Sequence, residues 1–311
     1  MSSWSLGLPV SGAGGEPVDL WRTISSHGLA ELPPTRVDET CRTLEITLAM
    51  PGARPRTVTV EERRPGLAAI SGGGPTPSAR TEAALRAAVS RVLRLDQDLS
   101  PFYARIVADP DLSWVAQGAG RMIRSQTVFE DVVKTICTTN CAWSATERMV
   151  RALVEHLGEA APDAPRSGAA GRAFPTPAAM AAAPESFYVD VVRAGYRGAY
   201  LHRLATDVAA GTVDLDGLDD PEFDDDEVER RLLALPGVGP YAAAHVMLMG
   251  LGRTSRLILD SWTRPKYARI TGRRSVKDGA IERRFRQYRP YQGLAFWLYL
   301  TRDWVPGEHP V

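Results

Sequence analysis

One carboxylate stands apart from the others in this sequence. Asp260 is the only acid between Glu229 and Asp278, in a stretch (251–290) that carries twelve Lys and Arg against three acids, Asp260, Asp278 and Glu282. Just upstream runs Leu232-Leu233-Ala234-Leu235-Pro236-Gly237-Val238-Gly239-Pro240-Tyr241-Ala242-Ala243-Ala244-His245, where a helix ends, a Pro-Gly-x-Gly turn follows and an Ala-rich helix begins. Gly237 and Gly239 let the backbone turn sharply and come close to a ligand. The second helix starts beside them, so its free N–H groups and positive dipole end point outward. That is a device for gripping a nucleic-acid backbone phosphate without reading base sequence. Gly237-x-Gly239-x-x-Ala242 also fits a loose dinucleotide fingerprint. It follows a helical, acidic segment rather than a buried strand and has no βαβ unit around it, so a nicotinamide cofactor is not expected. Tyr241 and His245, four residues apart, share one helix face. Asp260 precedes a helical run and would also serve as its N-cap, which is compatible with chemistry at the same carboxylate.

Amines and thiols are scarce. Lys134, Lys266 and Lys277 are the only lysines, so a mechanism that needs a neutral amine has three candidates. Cys41, Cys137 and Cys141 are too few for a disulfide framework or a four-thiolate iron–sulfur cluster. Cys137 and Cys141 could share a helix face, but no His or carboxylate pair accompanies them as metal ligands. They read as reduced thiols of a cytoplasmic protein. Over 311 residues, 37 Lys and Arg balance 37 Asp and Glu, which excludes a uniformly basic coat but not a local basic face. The ten acids of Asp214–Glu229 read as a solvated loop and helix N-terminus, and the excess of nine positive charges over 251–290 as a phosphate-binding surface. No apolar run approaches the roughly 18–20 residues that span a bilayer.

The elements that must position these groups make an α+β chain. Residues 1–16, Gly/Ser-rich and without the order of a signal peptide, are expected to be a flexible tail. Residues 17–77 read as a small antiparallel β domain, with strands at Cys41–Ala49, Arg56–Glu61 and Leu67–Ser71 between Pro and Gly breaks. Residues 78–311 read as almost wholly helical. A helix capped by Ser78 or Thr81 comes first, and others follow near 126–139, 144–157, 184–194, 198–210, 227–233, 241–250, 258–270, 278–287 and 292–303. Two helical subdomains with a cleft between them are expected, in a monomer.

The ordered motifs resemble a known family. Leu-Pro-Gly-Val-Gly at 235–239, followed about twenty residues on by Leu259-Asp260-Ser261-Trp262, is similar to the hairpin and downstream aspartate of the helix–hairpin–helix DNA glycosylases. Ile136-Cys137-Thr138-Thr139-Asn140 resembles a stretch of the 8-oxoguanine DNA glycosylases, and Gly195-Tyr196-Arg197 resembles their Gly-Tyr-Arg segment. The β region resembles the domain that precedes the helices in both 8-oxoguanine and 3-methyladenine glycosylases.

The resemblance implies excision of a damaged base from double-stranded DNA. The bond between C1′ and the base nitrogen breaks through an oxocarbenium-like transition state, which a nearby carboxylate stabilises. Asp260 matches that carboxylate. Glycosylases that also cut the strand carry a lysine two positions past the second hairpin glycine. This chain has Tyr241 there, so the amine nucleophile is missing and a monofunctional enzyme is expected. Tyr241 and His245 are placed in the base pocket with Trp262 and Trp297, and an aromatic face favours a cationic alkylated purine. For His245 and Trp297 core packing is an equal reading, and for Tyr241 it is the lesser alternative. Asn140 matches the residue that fills the gap left by the flipped base, or is a helix C-cap. Arg197, Arg264 and Arg269 are phosphate candidates, together with Gly237, Val238 and Gly239. The carbonyls of Leu233, Leu235 and Val238 are candidate ligands of a monovalent cation, with no other cofactor expected. An oxidised-purine glycosylase and a non-catalytic module for damaged DNA are the competing readings. A roomy pocket would instead suit bulky adducts, as in self-protection against a DNA-alkylating metabolite.

Overall fold

The structure, a computed structural model, describes residues 3–305. Five antiparallel strands open the chain: β1 (Ser3–Pro9), β2 (Thr35–Asp38), β3 (Thr43–Met50), β4 (Ala53–Arg64) and β5 (Leu67–Gly73), in the order β1-β5-β4-β3-β2. A short helix α1 (Leu20–Ile24), N-capped by Asp19, lies between β1 and β2. The expected flexible tail is therefore an edge strand. Trp4, Leu6 and Leu8 are buried while Ser3, Ser5, Gly7 and Pro9 are exposed. That period of two is the mark of a half-buried strand, hidden here among small residues. Glu16, at the end of the same segment, is buried against Arg121.

Helix α2 (Ala79–Val92) starts at Ser78, whose side chain accepts the Thr81 N–H. The boundary expected at 77/78 does not separate two cores. Leu85, Val89 and Val92 pack with Leu44, Ile46, Val58, Val60 and Ile70 of the sheet. The remaining helices are α3 (Ser100–Ile106), α4 (Val128–Thr138), α5 (Trp143–Leu157), α6 (Pro177–Ala182), α7 (Arg197–Ala209), α8 (Asp225–Leu233), α9 (Pro240–His245), α10 (Thr263–Ile270), α11 (Asp278–Phe285) and α12 (Gln292–Thr301). A wider turn, Val246–Gly250, prolongs α9. The helix expected near 184–194 is only such a turn, Phe187–Val191, and the one expected from 258 begins at Thr263. Among the described residues no helix is long and apolar enough to cross a membrane.

The helices build two cores. One gathers α4, α5, α7, α8 and α9; the other gathers α3, α10, α11 and α12. Tyr241 packs against both. The acidic run is more than a solvated loop. Arg253 donates to Asp225 at 3.0 Å and to the carbonyls of Phe223, Asp220 and Leu218. Arg256 pairs with Glu229 at 2.8 Å and with Asp226. Part of the positive excess that the sequence assigns to a phosphate surface is thus spent on clamping 218–229 to the core.

Candidate active site

The Asp260 turn, the Gly turn and the end of α4 surround one open cleft of about 970 Å3, lined by Asn140, Tyr196, Gly239, Tyr241, Asp260 and Arg264 among others. Each wall follows from local chain chemistry. After α8, Gly237 turns at φ +78°, and a Cβ there would lie 2.8 Å from the Tyr200 ring, so both conformation and space demand glycine. Gly239 is extended (φ −101°) and caps α9, with Pro240 as its first residue. A Cβ on Gly239 would meet nothing within 4 Å, so its surroundings are open for a ligand.

Asp260 is half-buried. Its Oδ1 accepts the backbone N–H groups of Trp262 (2.8 Å) and Thr263 (2.6 Å), while the Thr263 hydroxyl accepts the Asp260 N–H at 2.9 Å. The carboxylate therefore both ties the turn that leads into α10, whose N-cap position is Trp262 and not Asp260 as the sequence suggests, and forms a wall of the cleft. Its Oδ2 takes no hydrogen bond among the described residues. A carboxylate fixed by one oxygen and open at the other can stabilise positive charge that develops beside it.

Tyr241 lines the cleft, its hydroxyl 3.3 Å from Thr138 Oγ1. Burial pushes the phenol up, and the nearby Asp260 charge adds to the shift, so the ring is neutral. His245 does not reach the cleft. It is buried behind Tyr241, ring centroids 5.7 Å apart, and burial lowers it to about 4 although Asp260 pulls the other way. Trp297 is buried too and donates to the Ser26 carbonyl at 2.9 Å. Trp262 is exposed but packs on Trp297 and Trp304 and not on the cleft. Of the four expected pocket residues only Tyr241 faces Asp260. The other three are turned aside: His245 packs edge-on against His27, Trp297 is tied to the Ser26 carbonyl, and Trp262 packs on Trp297 and Trp304.

Asn140 has φ +47° just past the end of α4, so it takes the left-handed position of a helix C-terminus and is exposed at the cleft lip. Its amide reaches the Tyr196 hydroxyl at 3.4 Å, which holds that phenol below its usual range. Arg197 is not available for phosphate. It is buried, donates to the Thr139 carbonyl and hydroxyl, and stacks on Tyr196 at 4.5 Å, so it braces the turn that presents Asn140. Arg264 lines the cleft but forms a two-point pair with Asp278 (2.7 and 2.9 Å) that raises its own charge state's stability and lowers Asp278. Arg269 is exposed in the last turn of α10. The sequence reading passed over Tyr196 and Tyr200, which line the cleft and are both exposed. The signal is present in Gly195-Tyr196-Arg197, where the aromatic ring and not the charge faces the cleft.

No lysine lines the cleft. Lys134 is buried against Glu130 at 2.8 Å, and Lys266 binds both oxygens of Asp303. Lys277 sits at the start of α11. Cys137 is buried, which pushes its thiol up to about 12 and makes it inert. Among the described residues no group of three His, Cys, Asp or Glu is placed to hold a metal ion.

No protein-family model matches the sequence. A probable N-glycosylase/DNA lyase of Methanothermobacter thermautotrophicus is 25% identical over 217 residues, which cover 63% of this chain and 67% of that protein. The 3-methyladenine DNA glycosylase from Archaeoglobus fulgidus superposes with a TM-score of 0.69 over 97% of this chain and 99% of that one, at 20% identity. The 8-oxoguanine glycosylase/lyase of Clostridium acetobutylicum, in its apo form, gives 0.70 over 92% and 93%, at 19% identity. The chain has the fold of the helix–hairpin–helix DNA glycosylase superfamily and resembles both its 3-methyladenine and its 8-oxoguanine members.

Proposed function

We propose that this protein is a monofunctional DNA glycosylase of base excision repair that removes damaged purines, alkylated ones foremost, and leaves an abasic site. One observation carries the reading: the half-tethered Asp260 carboxylate shares a cleft with the Gly237–Gly239 turn and with Asn140. The turn would grip the phosphate of double-stranded DNA, and Asn140 would enter the gap left by the rotated nucleotide. As the bond from C1′ to the base nitrogen lengthens, positive charge grows on the sugar, and Asp260 Oδ2 stands free to oppose it. The bond's electron pair leaves with the base. Water then adds at C1′ and gives up a proton.

Two features support hydrolysis without strand cleavage. Tyr241 stands where an amine nucleophile would be, and none of the three lysines lines the cleft. The name of the Methanothermobacter protein, a probable N-glycosylase/DNA lyase, speaks for the opposite outcome. The neutral Tyr241 ring supports a cationic alkylated purine, which leaves without protonation and is attracted to an aromatic face. The competing oxidised-purine reading draws on Ile136–Asn140 and Gly195–Arg197, which are 8-oxoguanine-type motifs. A non-catalytic module is disfavoured because a phosphate grip gains nothing from a carboxylate beside it. The carbonyls of Leu233, Leu235 and Val238 would hold a monovalent cation beside the phosphate. The Leu235 carbonyl already accepts the Val238 N–H at 3.2 Å, which leaves its second lone pair for such an ion.

The test is a panel of duplexes, each with one defined lesion, assayed for abasic sites before and after alkali. Strand breaks that appear only after alkali, with alkylated purines cut ahead of 8-oxoguanine, are expected. A borohydride-trapped protein–DNA adduct would overturn the monofunctional assignment, and a panel left uncut would overturn the activity itself.

A further inference from the structure

A second cavity, of about 420 Å3, adjoins the Asp260 cleft. Pro240, Tyr241, Leu259 and Arg264 line both, so the start of α9 and the chain just before Asp260 form a wall that the two spaces share. The rest of the cavity is built from the segment 255–257, α11 and the turn that leads into α12.

Its charges are unevenly answered. Arg256 is taken by Glu229 at 2.8 Å and by Asp226, and Arg264 is taken by Asp278. Arg286 and Arg289 also line the cavity, are exposed, and have guanidinium groups that form no hydrogen bond or ion pair among the described residues. Glu282 lines it too, four residues before Arg286, yet the two make no ion pair. Two cations are thus left against one acid. Arg269, Arg273, Arg274 and Arg283 have no ion pair among the described residues either, but they do not line this space. Gln292, the first residue of α12, is the second sign. Its side-chain oxygen is buried without a partner, and its amide nitrogen makes no hydrogen bond among the described residues. An amide left unused at a buried position costs about 1–3 kcal/mol, which a ligand in the cavity would recover.

We propose that Arg286, Arg289 and Gln292 bind one backbone phosphate of the DNA strand, distinct from the phosphate at the Gly turn. The forked donors of two guanidiniums match phosphate oxygens, and the Gln292 amide, turned about its last bond, adds a neutral donor. Glu282 beside them disfavours further negative charge, so the site suits a single diester phosphate and not a polyphosphate. A strand lying in the Asp260 cleft meets this cavity across the Pro240–Tyr241 wall. The proposal rests on the DNA-binding half of the reading above and does not depend on excision.

Two measurements test it. In the first, anisotropy titrations follow duplex binding over a range of salt concentrations. The double variant Arg286→Gln, Arg289→Gln should bind lesion-bearing and undamaged duplexes alike about tenfold more weakly, and the slope of log Kd against log salt should fall by about 1, as for one phosphate no longer neutralised. Gln292→Leu keeps every charge and should still weaken binding about threefold. Arg283→Gln removes an exposed charge of α11 outside the cavity and should change binding less than about twofold. Unchanged binding in the double variant, or a loss in Arg283→Gln as large as the double variant's, overturns the proposal. The second measurement needs no DNA: inorganic phosphate is titrated with the whole protein and followed by its phosphorus NMR line width. Saturable broadening that is lost in the double variant supports the phosphate site even if the wild-type protein binds no duplex, and then it is the glycosylase reading that falls. The same broadening, with duplex affinity unmoved by the double variant, would make this a site for free phosphate and overturn its assignment to the strand.

Discussion

Glu16 and Asp260 are both carboxylates held by backbone N–H groups, yet one is closed and the other open. Glu16 Oε1 accepts the Leu99 N–H at 2.7 Å and pairs with Arg121, whose side chain is wholly buried. Arg121 in turn donates to the carbonyls of Arg94 and Gln97, both at 2.7 Å. Glu130 and Lys134 repeat the pattern, with the Lys134 ammonium also on the Leu32 carbonyl at 3.2 Å. Each of these charges is matched inside the protein, so its work is to tie the segment after β1, or α4, to the rest. Asp260 has Oδ1 tied and Oδ2 without a hydrogen bond among the described residues, and the guanidinium that lines the same cleft, Arg264, is committed to Asp278. A charge left half-answered in a cleft is the kind that acts on something from outside. The contrast separates architecture from chemistry better than residue type does.

The contrast predicts opposite signatures. Asp260→Asn is expected to slow excision by about 10²–10⁴-fold, the range for removal of a transition-state electrostatic group. Duplex binding should hold or tighten, because a negative charge near phosphates is lost, and anisotropy titration alongside single-turnover excision reads both. Arg121→Met should do the reverse. It strands a buried Glu16 charge, so unfolding in urea should show a loss of about 3–5 kcal/mol while the folded fraction still cuts. If Arg121→Met proves neutral in stability, the closed pair is not structural.

Acid tests the interior side of the contrast. His27 and His245, with ring centres 6.4 Å apart, are lowered by burial to about 3 and about 4. Above pH 6.5 both are neutral whether the chain is folded or not. Below it the unfolded chain takes up protons that the folded one resists, so stability is lost as pH falls from about 6.5 toward 4. The slope is up to roughly 1.4 kcal/mol per pH unit for each ring. Urea midpoints at pH 7 and pH 5 should differ, and His245→Phe should narrow the gap. An unchanged gap would mean that His245 titrates normally.

What the sequence made legible follows the same division. The open parts could be read: the Gly turn, Asp260 at the turn before a helix, and Asn140 at a left-handed position all rest on short-range chain chemistry. The parts that depend on distant partners could not. Arg197 looks like a free cation until Thr139, 58 positions away, is seen to take its hydrogen bonds. Trp297 and His245 carry the residue types of a pocket, but only packing against Ser26 and His27 shows that they face inward. The β1 strand was missed for a different reason. Its apolar residues alternate with Ser and Gly, which weigh toward a loop when counted by composition instead of by period. Trp143 and Trp304 are separated by about half of the chain, and no local spacing signals that they share a cavity.

The two turn glycines give the finest version of the comparison. Gly237 is closed: its φ of +78° and the Tyr200 ring 2.8 Å from any Cβ make it part of the packing. Gly237→Ala should cost about 1–3 kcal/mol of stability, read in urea. Gly239 is open, with an extended backbone and nothing within 4 Å of a Cβ, so Gly239→Ala should shift stability by only about 0.5 kcal/mol. Its methyl group would instead stand where a phosphate approaches the start of α9. Anisotropy titrations at one fixed salt concentration should then show weaker binding to every duplex by the same factor, with or without a lesion, because a phosphate grip carries no sequence information. Weakening confined to lesion-bearing duplexes would instead place Gly239 against the flipped nucleotide and remove it from the phosphate grip.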